Sequence, residues 1–294
     1  MLKSFADRAF RKVAARSVPL AQKAVSPSRQ AQLRHATSRT RFEAHMREQL
    51  GAFHQVVDPG PAQPTDVSLR TGAMQQSDVE LLQSNNTFFD LSYRQVQLFV
   101  DALAAQHVNL RTIGSVLEIG CGGARLLRHF RCIEGARLVG TDIDPKSIGW
   151  CRANVPGIDF QVNHIDPPLA METNSFDLAI ASSVFTHIPL GLQRAWLVEM
   201  RRVMRPGGIF LCTVVGRWHI DKQLDAEALR RLESSGAMEL VPGEKGLSLS
   251  SEETHQNDVF QTRSEVIRVF GTEFTMLDYV RGPQDLLVLR KVLA

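Results

Sequence analysis

The sequence has few cysteines, no zinc-binding pattern and no long hydrophobic run. Its four cysteines form neither a C-x-x-C pair nor a Cys/His group with zinc spacing: Cys121, Cys132, Cys151 and Cys212. We therefore predict no metal and no disulfide framework, and we expect a reducing, cytoplasmic location. No apolar run approaches the ~18 residues that a membrane-spanning helix needs. No compact apolar block follows the N-terminal charges, so we expect no secretory signal.

The formal net charge is only +3, but the charges are unevenly distributed along the chain. Residues 1–50 hold 11 Lys/Arg against 3 Asp/Glu, which leaves 23 against 28 for residues 51–294. We interpret the basic segment as a helical or partly ordered arm. Such an arm suits an anionic membrane surface, an acidic partner or a nucleic acid. A start that is rich in Arg and poor in acids is also typical of an organelle transit peptide, and these alternatives stay open.

A stretch rich in proline and glycine, residues 58–65 (DPGPAQPT), is the best candidate for a linker. We predict an arm with its linker over residues 1–65 and one domain over residues 66–294. Within that domain, residues 217–262 are less regular and are interpreted as an insertion. Apolar residues recur at helical spacing between positions 91 and 103, which predicts a helix that covers one face of the sheet.

From residue 113 onward, short apolar strands alternate with helical segments, which indicates a parallel sheet with crossover helices. Strands are predicted at residues 115–119, 137–141, 158–162, 176–182 and 209–215, with a closing pair at 274–280 and 285–292. Helices are predicted at residues 123–130, 146–154 and 190–204. The fold class is therefore α/β: a Rossmann-like, doubly wound, mostly parallel seven-stranded sheet preceded by a basic helical extension.

The strongest local signal is a glycine-rich turn at residues 120–123 (GCGG), between the first strand and the helix predicted after it. Glycine lets the backbone turn sharply and lets a ligand approach main-chain atoms. Glu118 precedes this turn at the carboxyl end of the strand, and ligands bind at that edge of an open parallel sheet. A carboxylate there suits a cationic or hydroxyl-bearing ligand and would repel a pyrophosphate.

A second carboxylate, Asp142, follows the second strand. It can accept hydrogen bonds from two vicinal ribose hydroxyls. Together with the glycine turn and Glu118, it predicts a site for the adenosine part of a cofactor. A dinucleotide is the rival ligand, but its G-x-G-x-x-G pattern needs glycine at the position of Arg125. A nicotinamide-dependent oxidoreductase is therefore disfavoured.

Over residues 85–294 these motifs resemble the class I S-adenosylmethionine-dependent methyltransferases. The resemblance rests on residues 118–122 (EIGCG), 140–142 (GTD), 175–178 (SFDL) and 197–208 (LVEMRRVMRPGG). The run at 183–188 (SVFTHI) resembles a subgroup that carries SVFTHL after the fourth strand and Gln-Asp before the last strand, as Gln284 and Asp285 stand here. Ala124 departs from the family pattern because it replaces the third glycine of the first motif.

The resemblance implies S-adenosylmethionine as the cofactor and in-line transfer of its methyl group. The predicted cofactor-binding residues are Glu118, Gly120, Cys121, Gly122, Asp142, Ile143, Asp166 and Ser182. Asp166 stands for the family acid that meets the adenine amino group. Its register is ambiguous, so Asn163 and His164 are alternatives for the same role.

A hydroxyl or amine acceptor must lose a proton during methyl transfer, which calls for a base within hydrogen-bond reach. His187 is the leading candidate for a catalytic residue, because the run that contains it leaves the fourth strand at the ligand edge. The alternative is that His187 only hydrogen-bonds the loop backbone. We expect residues 70–95, 184–194 and 216–262 to recognise the acceptor.

The leading functional hypothesis is a methyltransferase that acts on a small-molecule or glycan O/N acceptor. An RNA methyltransferase that uses the basic arm is the second hypothesis, but a nucleic acid is not favoured, because no Asn/Asp-Pro-Pro-Tyr signature follows the fourth strand. A non-catalytic module that binds S-adenosylmethionine is the third hypothesis.

Overall fold

The computed structural model describes residues 27–50, 85–240 and 258–292. The linker predicted at residues 58–65 and the first 26 residues of the arm lie outside these ranges. None of the helices in these ranges has the length and hydrophobicity of a membrane-spanning helix.

A seven-stranded sheet forms the centre of the molecule. Its strands are β1 Ser115–Ile119, β2 Arg137–Asp142, β3 Asp159–Val162, β4 Phe176–Ala181, β5 Met204–Val215, β8 Thr275–Val280 and β9 Gln284–Arg290. A separate antiparallel ribbon consists of β6 Ala237–Leu240 and β7 Asp258–Gln261. The sheet order is β3-β2-β1-β4-β5-β9-β8. Strands β1 to β5 are parallel, whereas β9 is antiparallel to both β5 and β8. The predicted Rossmann-like, mostly parallel sheet is confirmed.

The helices flank this sheet. They are α1 Pro27–Leu50, α2 Asn85–Ala105, α3 Pro145–Asn154, α4 Leu190–Val203, α5 Arg217–Gln223, α6 Ala226–Ser235 and α7 Arg263–Phe270. Helix α3 shows why the chain turns helical after β2: the Asp144 carboxylate accepts hydrogen bonds from the N–H groups of Lys146 and Ser147, and Pro145 occupies the first turn. This is the arrangement that favours a helix start.

The helix predicted at residues 123–130 is wrong. Turns follow the glycines, and a 3-10 helix then covers Leu127–Cys132. Gly122 and Ala124 both have a φ of 52°, a left-handed conformation that an α-helix does not contain. In addition, the N–H of Leu127 donates to the Glu118 carboxylate at 3.0 Å, which ties the turn to β1.

Each face of the sheet buries its own apolar layer. On one face, α2 contributes Val96, Phe99 and Leu103. On the other face, α4 contributes Trp196, Leu197 and Met200. Full burial of such a side chain stabilises the fold by ~1.5–3 kcal/mol relative to exposure. The two layers therefore hold the sheet rigid beneath the loops at its carboxyl edge.

Helix α1 lies within the predicted arm, yet it packs on the domain. Phe42 and Met46 are buried in the same layer as α2, and the ring of Phe42 stacks on Tyr93 with centroids 4.8 Å apart. Its ring also meets the edge of His129 at 5.1 Å. Part of the basic segment therefore contributes to the domain core, while the boundary near residue 65 stays a prediction.

The predicted insertion holds a small lobe made of α5, α6 and the β6–β7 ribbon. Its apolar cluster includes Ile220, Leu232, Met238, Leu240 and Phe260. Asp225 caps α6 through hydrogen bonds from the N–H groups of Glu227 and Ala228. The ribbon belongs to this lobe and lies beside the loop that follows β4.

Candidate active site

A cavity of about 320 Å³ opens at the carboxyl ends of β1, β2 and β4. Strand β1 lies between β2 and β4, so the strand order reverses at this point. Such a switch point is where open parallel sheets bind ligands. The lining includes five of the predicted site residues, Gly120, Asp142, Ile143, Ser182 and His187.

Gly120 lines the cavity and needs to be glycine for two reasons. Its φ is 63°, a conformation that costs an L-residue roughly 1–2 kcal/mol. A Cβ at this position would also lie only 2.4 Å from Cγ2 of Val184 in the loop after β4. The glycine turn and that loop are therefore in direct contact.

Glu118 lies beneath the turn and does not line the cavity. Its carboxylate is buried and accepts the hydrogen bond from Leu127. Burial raises the pKa of Glu118 to about 8, although the Leu127 N–H and the charge of Arg125 oppose the rise. Cys121 and Gly122 also lie outside the lining, so cofactor contacts by these three residues stay predictions.

Asp142 joins the second motif to the first. Its Oδ2 accepts a hydrogen bond from the Gly122 N–H at 2.7 Å, and its Oδ1 accepts one from the Asp144 N–H at 3.0 Å. A carboxylate accepts hydrogen bonds from hydroxyl groups, so the chemistry of this side chain suits a ligand with vicinal hydroxyls. Asp142 lines the cavity, and its contact with the cofactor stays a prediction.

The side of the cavity beyond β3 is lined by Asn163 and not by Asp166, which is exposed. Nδ2 of Asn163 donates to the His164 carbonyl at 2.7 Å. Its Oδ1 is buried and accepts no hydrogen bond from the described residues. Ile143 and Ile165, 51% and 58% exposed, add apolar surface to the same wall. This wall suits a flat group that carries a hydrogen-bond donor.

Ser182, at the end of β4, is held from the opposite side by α2. Its Oγ accepts a hydrogen bond from the side chain of Gln95, whose Oε1 in turn accepts one from Arg125 at 3.0 Å. Sequence reasoning missed Gln95, because a polar residue on an amphipathic helix carries no local sign of function.

Ser183 has a φ of 58° and belongs to a network of three hydrogen bonds with Thr213 and Gln284. Its N–H donates to Oγ1 of Thr213 at 2.8 Å, and its Oγ donates to Oε1 of Gln284 at 2.9 Å. Thr213 also donates to that oxygen, at 2.8 Å. The SVFTHI run and the Gln284 that precedes Asp285 in the sequence are therefore one structural unit.

His187 lines the cavity with its side chain 35% exposed, and its Nδ1 lies 3.4 Å from Oδ1 of Asp258 in β7. Burial raises the pKa of Asp258, and the neighbouring imidazole opposes that rise. Sequence reasoning missed Asp258, because it is distant in the chain and belongs to no motif.

Residues 117–212 match a family profile described as "Methyltransferase domain". These residues are a methyltransferase domain. The motif-based resemblance to the class I S-adenosylmethionine-dependent methyltransferases is confirmed for this part of the chain. Within the described ranges, no group of three or more His, Cys, Asp or Glu residues is arranged to hold a metal ion.

Two curated proteins of Mycobacterium ulcerans (strain Agy99) are similar in sequence to this chain. A probable phthiotriol/phenolphthiotriol dimycocerosates methyltransferase 2 is 30% identical over 143 residues, which are 40% of this chain and 52% of that protein. A phthiotriol/phenolphthiotriol dimycocerosates methyltransferase 1 is 31% identical over 156 residues, covering 45% of this chain and 54% of that protein. The chain thus spans about half the length of these relatives.

Among solved structures, magnesium protoporphyrin IX methyltransferase from Synechocystis PCC 6803, crystallised with bound SAH, aligns with a TM-score of 0.49. The two sequences are 16% identical, and the alignment covers 77% of this chain and 97% of that chain.

Proposed function

We propose that the protein transfers the methyl group of S-adenosylmethionine to a hydroxyl group of a small-molecule acceptor. The observation that carries this proposal is that Asp142 and His187 line one cavity at the carboxyl edge of the sheet. A carboxylate beside a glycine turn suits the ribose hydroxyls of the cofactor. An imidazole in the same cavity suits removal of a proton from the acceptor.

The adenine end of the cofactor fits the wall beyond β3. We propose that Oδ1 of Asn163 accepts a hydrogen bond from the adenine amino group, because this buried oxygen accepts none from the described residues. Ile143 and Ile165 would contact the faces of the ring. Asp166 is exposed, which supports Asn163 over Asp166 for this contact.

When bound, S-adenosylmethionine supplies a methyl group that is already activated on a sulfonium. The protein therefore contributes alignment, exclusion of water and removal of the acceptor proton. The contact between Gly120 and Val184 and the bond between Gln95 and Ser182 fix the loop after β4 against the cofactor side of the cavity. His187 lies on that loop and takes the proton.

The lining favours a neutral or apolar acceptor, because it is mostly aliphatic and uncharged on the side of the loop, at Ile119, Val184, Ile188 and Pro189. Two similar proteins are named for phthiotriol dimycocerosates, which supports a lipid hydroxyl as the acceptor group. A hydroxyl of a glycan is the other acceptor of the same chemistry.

Calorimetry with S-adenosylmethionine and NAD tests the cofactor: we expect binding of the former only. Transfer is then followed with radiolabelled cofactor on three probes, a hydroxylated lipid extract, a polysaccharide and total RNA. We expect label in the lipid, and we expect His187→Gln to abolish transfer but keep cofactor binding. His219→Gln, which alters a histidine outside the cavity lining, is the control. Tight NAD binding, or label found only in RNA, would overturn the proposal.

A further inference from the structure

We propose that Trp196 on α4 is a positioning residue for the adenine end of the cofactor. Its indole N–H donates a hydrogen bond to the Ile165 carbonyl, in the loop that forms the wall beyond β3. Through this bond, Trp196 fixes the wall on which Asn163 meets the adenine amino group. The inference rests on the proposed function, from which it takes the adenine contact of Asn163, and it adds the residue that makes this contact selective.

The first support is the bond itself. Nε1 of Trp196 and the Ile165 carbonyl oxygen are 2.9 Å apart, and Trp196 is only 4% exposed. Its ring packs in the apolar layer that α4 contributes to one face of the sheet. Close packing leaves a buried ring little freedom to rotate, so the position of its N–H donor is well defined. Trp196, Asn163 and Ile165 all line the cavity.

The second support is the place of this bond within the loop. The loop leaves β3 at Asn163, whose N–H donates to the carbonyl at the end of β2 at 3.1 Å. It reaches α4 at Leu169, whose N–H donates to the Glu199 carboxylate at 2.7 Å. Residues 164–166 between these attachments are exposed, and Trp196 bonds the middle of this stretch. Backbone that buries little surface opens easily, so loss of the Trp196 bond should loosen the loop.

The third support connects the bond to the side chain of Asn163. Nδ2 of Asn163 donates to the His164 carbonyl at 2.7 Å, which fixes the plane of the amide and so the direction of Oδ1. This oxygen accepts no hydrogen bond from the described residues. The His164 carbonyl belongs to the peptide group that precedes the one bonded by Trp196. Trp196 therefore holds the backbone next to the group that orients the amide.

Helix α4 also holds the opposite side of the cavity. Nε2 of Gln193 donates to the Phe185 carbonyl at 3.3 Å and to the Ile188 carbonyl at 3.4 Å. Gln193 and Trp196 are three residues apart in the helix, so their side chains lie on the same face. A shift of the adenine wall relative to α4 is therefore also a shift relative to the loop that carries His187.

The test compares the binding of S-adenosylhomocysteine with that of S-inosylhomocysteine, in which a carbonyl oxygen replaces the adenine amino group. Calorimetry gives the ratio of the two affinities. A general loss of stability lowers both affinities alike and leaves their ratio unchanged. We expect a preference of about fivefold for S-adenosylhomocysteine in the wild type, and of about twofold or less in Trp196→Phe, which keeps an aromatic ring but lacks the N–H. The matched control is Trp218→Phe, at a tryptophan that is 51% exposed and lies outside the cavity lining, and it should keep the preference.

A second variant separates the hydrogen bond from the shape of the ring. Incorporation of β-(3-benzothienyl)alanine at position 196 replaces the indole N–H by sulfur and keeps a ring of nearly the same size. We expect it to lower the preference as Trp196→Phe does. Hydrogen exchange of the chain saturated with S-adenosylhomocysteine should be faster at residues 163–166 in both variants, and unchanged in Trp218→Phe.

A double variant tests whether Trp196 acts through Asn163. Adding Trp196→Phe to Asn163→Ala should change the affinity ratio no further, because the contact that Trp196 positions is already lost. A fivefold preference that persists in both variants at position 196 would overturn the inference alone. Failure of the wild type to bind S-adenosylhomocysteine would overturn the proposed function, and equal binding of the two ligands by the wild type would overturn the adenine contact of Asn163.

Discussion

The N–H of Gly122 donates a 2.7 Å hydrogen bond to the carboxylate of Asp142, so that the two motifs that carry the adenosine prediction are physically joined. The bond fixes the distance between the glycine turn and the end of β2. Asp142 therefore contributes to the fold of the cavity, in addition to the ligand contact that we propose for it.

Replacement of Asp142 by alanine should weaken binding of S-adenosylmethionine by about 100-fold. The estimate comes from the loss of two hydrogen bonds to a charged group, at ~1.5 kcal/mol each. Calorimetry measures the loss of binding affinity. A thermal melt measures the loss of stability that follows when the bond from Gly122 is removed. Asp159→Asn changes an exposed carboxylate on the neighbouring strand β3 and should bind the cofactor normally.

The two candidates for the adenine contact can be separated with S-inosylhomocysteine, which lacks the amino group. Wild-type protein should prefer S-adenosylhomocysteine about fivefold, because one hydrogen bond to the amino group is worth ~1 kcal/mol. Asn163→Ala should abolish that preference, and Asp166→Ala should keep it. The reverse pattern would return the role to Asp166.

Gly120→Ala should destabilise the protein by about 2 kcal/mol or more and prevent cofactor binding. The left-handed backbone contributes ~1–2 kcal/mol, and the contact with Val184 adds to it. Adding Val184→Ala should recover the stability that is lost through the contact. The cost of the left-handed backbone conformation should remain. Urea unfolding measures both variants. Gly149→Ala is the matched control: this helical glycine has open space around it, so alanine should stabilise the protein by ~0.5–1 kcal/mol.

Stability should fall as the pH rises, through Glu118. Its pKa is about 8 in the folded protein against 4.5 without the burial, so between these pH values the folded state binds more protons than the unfolded chain. The contribution of the neutral Glu118 carboxyl group to stability is complete below pH 4.5 and is lost as the pH approaches 8. The slope is at most ~1.4 kcal/mol per pH unit.

Glu118→Gln should flatten this dependence, because glutamine keeps an acceptor for the Leu127 N–H and cannot ionise. Urea unfolding of the ligand-free protein at a series of pH values gives the measurement. Glu134→Gln, at an exposed position, should follow the wild-type curve. A wild-type stability that is flat over the interval would show that Glu118 is ionised throughout.

Local patterns predicted the sheet and much of the cavity. Apolar strands, the glycine turn and the acid after the second strand are each visible in a few consecutive residues. The order of these elements then implies the edge at which Gly120, Asp142, Ser182 and His187 meet. The short separations within each motif leave little freedom for them to lie elsewhere.

The remaining features depend on long-range packing or on backbone conformation that the residue types do not reveal. Asp258 and Gln95 reach the site through the ribbon and through α2, and neither has a sequence neighbour that marks it. The helix predicted after Gly123 failed because Ala124 adopts a left-handed conformation that alanine rarely takes. Asp166 carries the expected chemistry, but it is exposed in the loop after β3, and Asn163 lines the cavity.

The bonds from Ser183 and Thr213 to Gln284 have a consequence for synthesis of the chain. Ser183 and Gln284 are 101 residues apart, and Gln284 begins the strand that is inserted between β5 and β8. A nascent chain that still lacks β9 can form the five parallel strands, but its β5 edge is open to pairing with other chains. Cofactor binding should therefore appear only after β9 has left the ribosome.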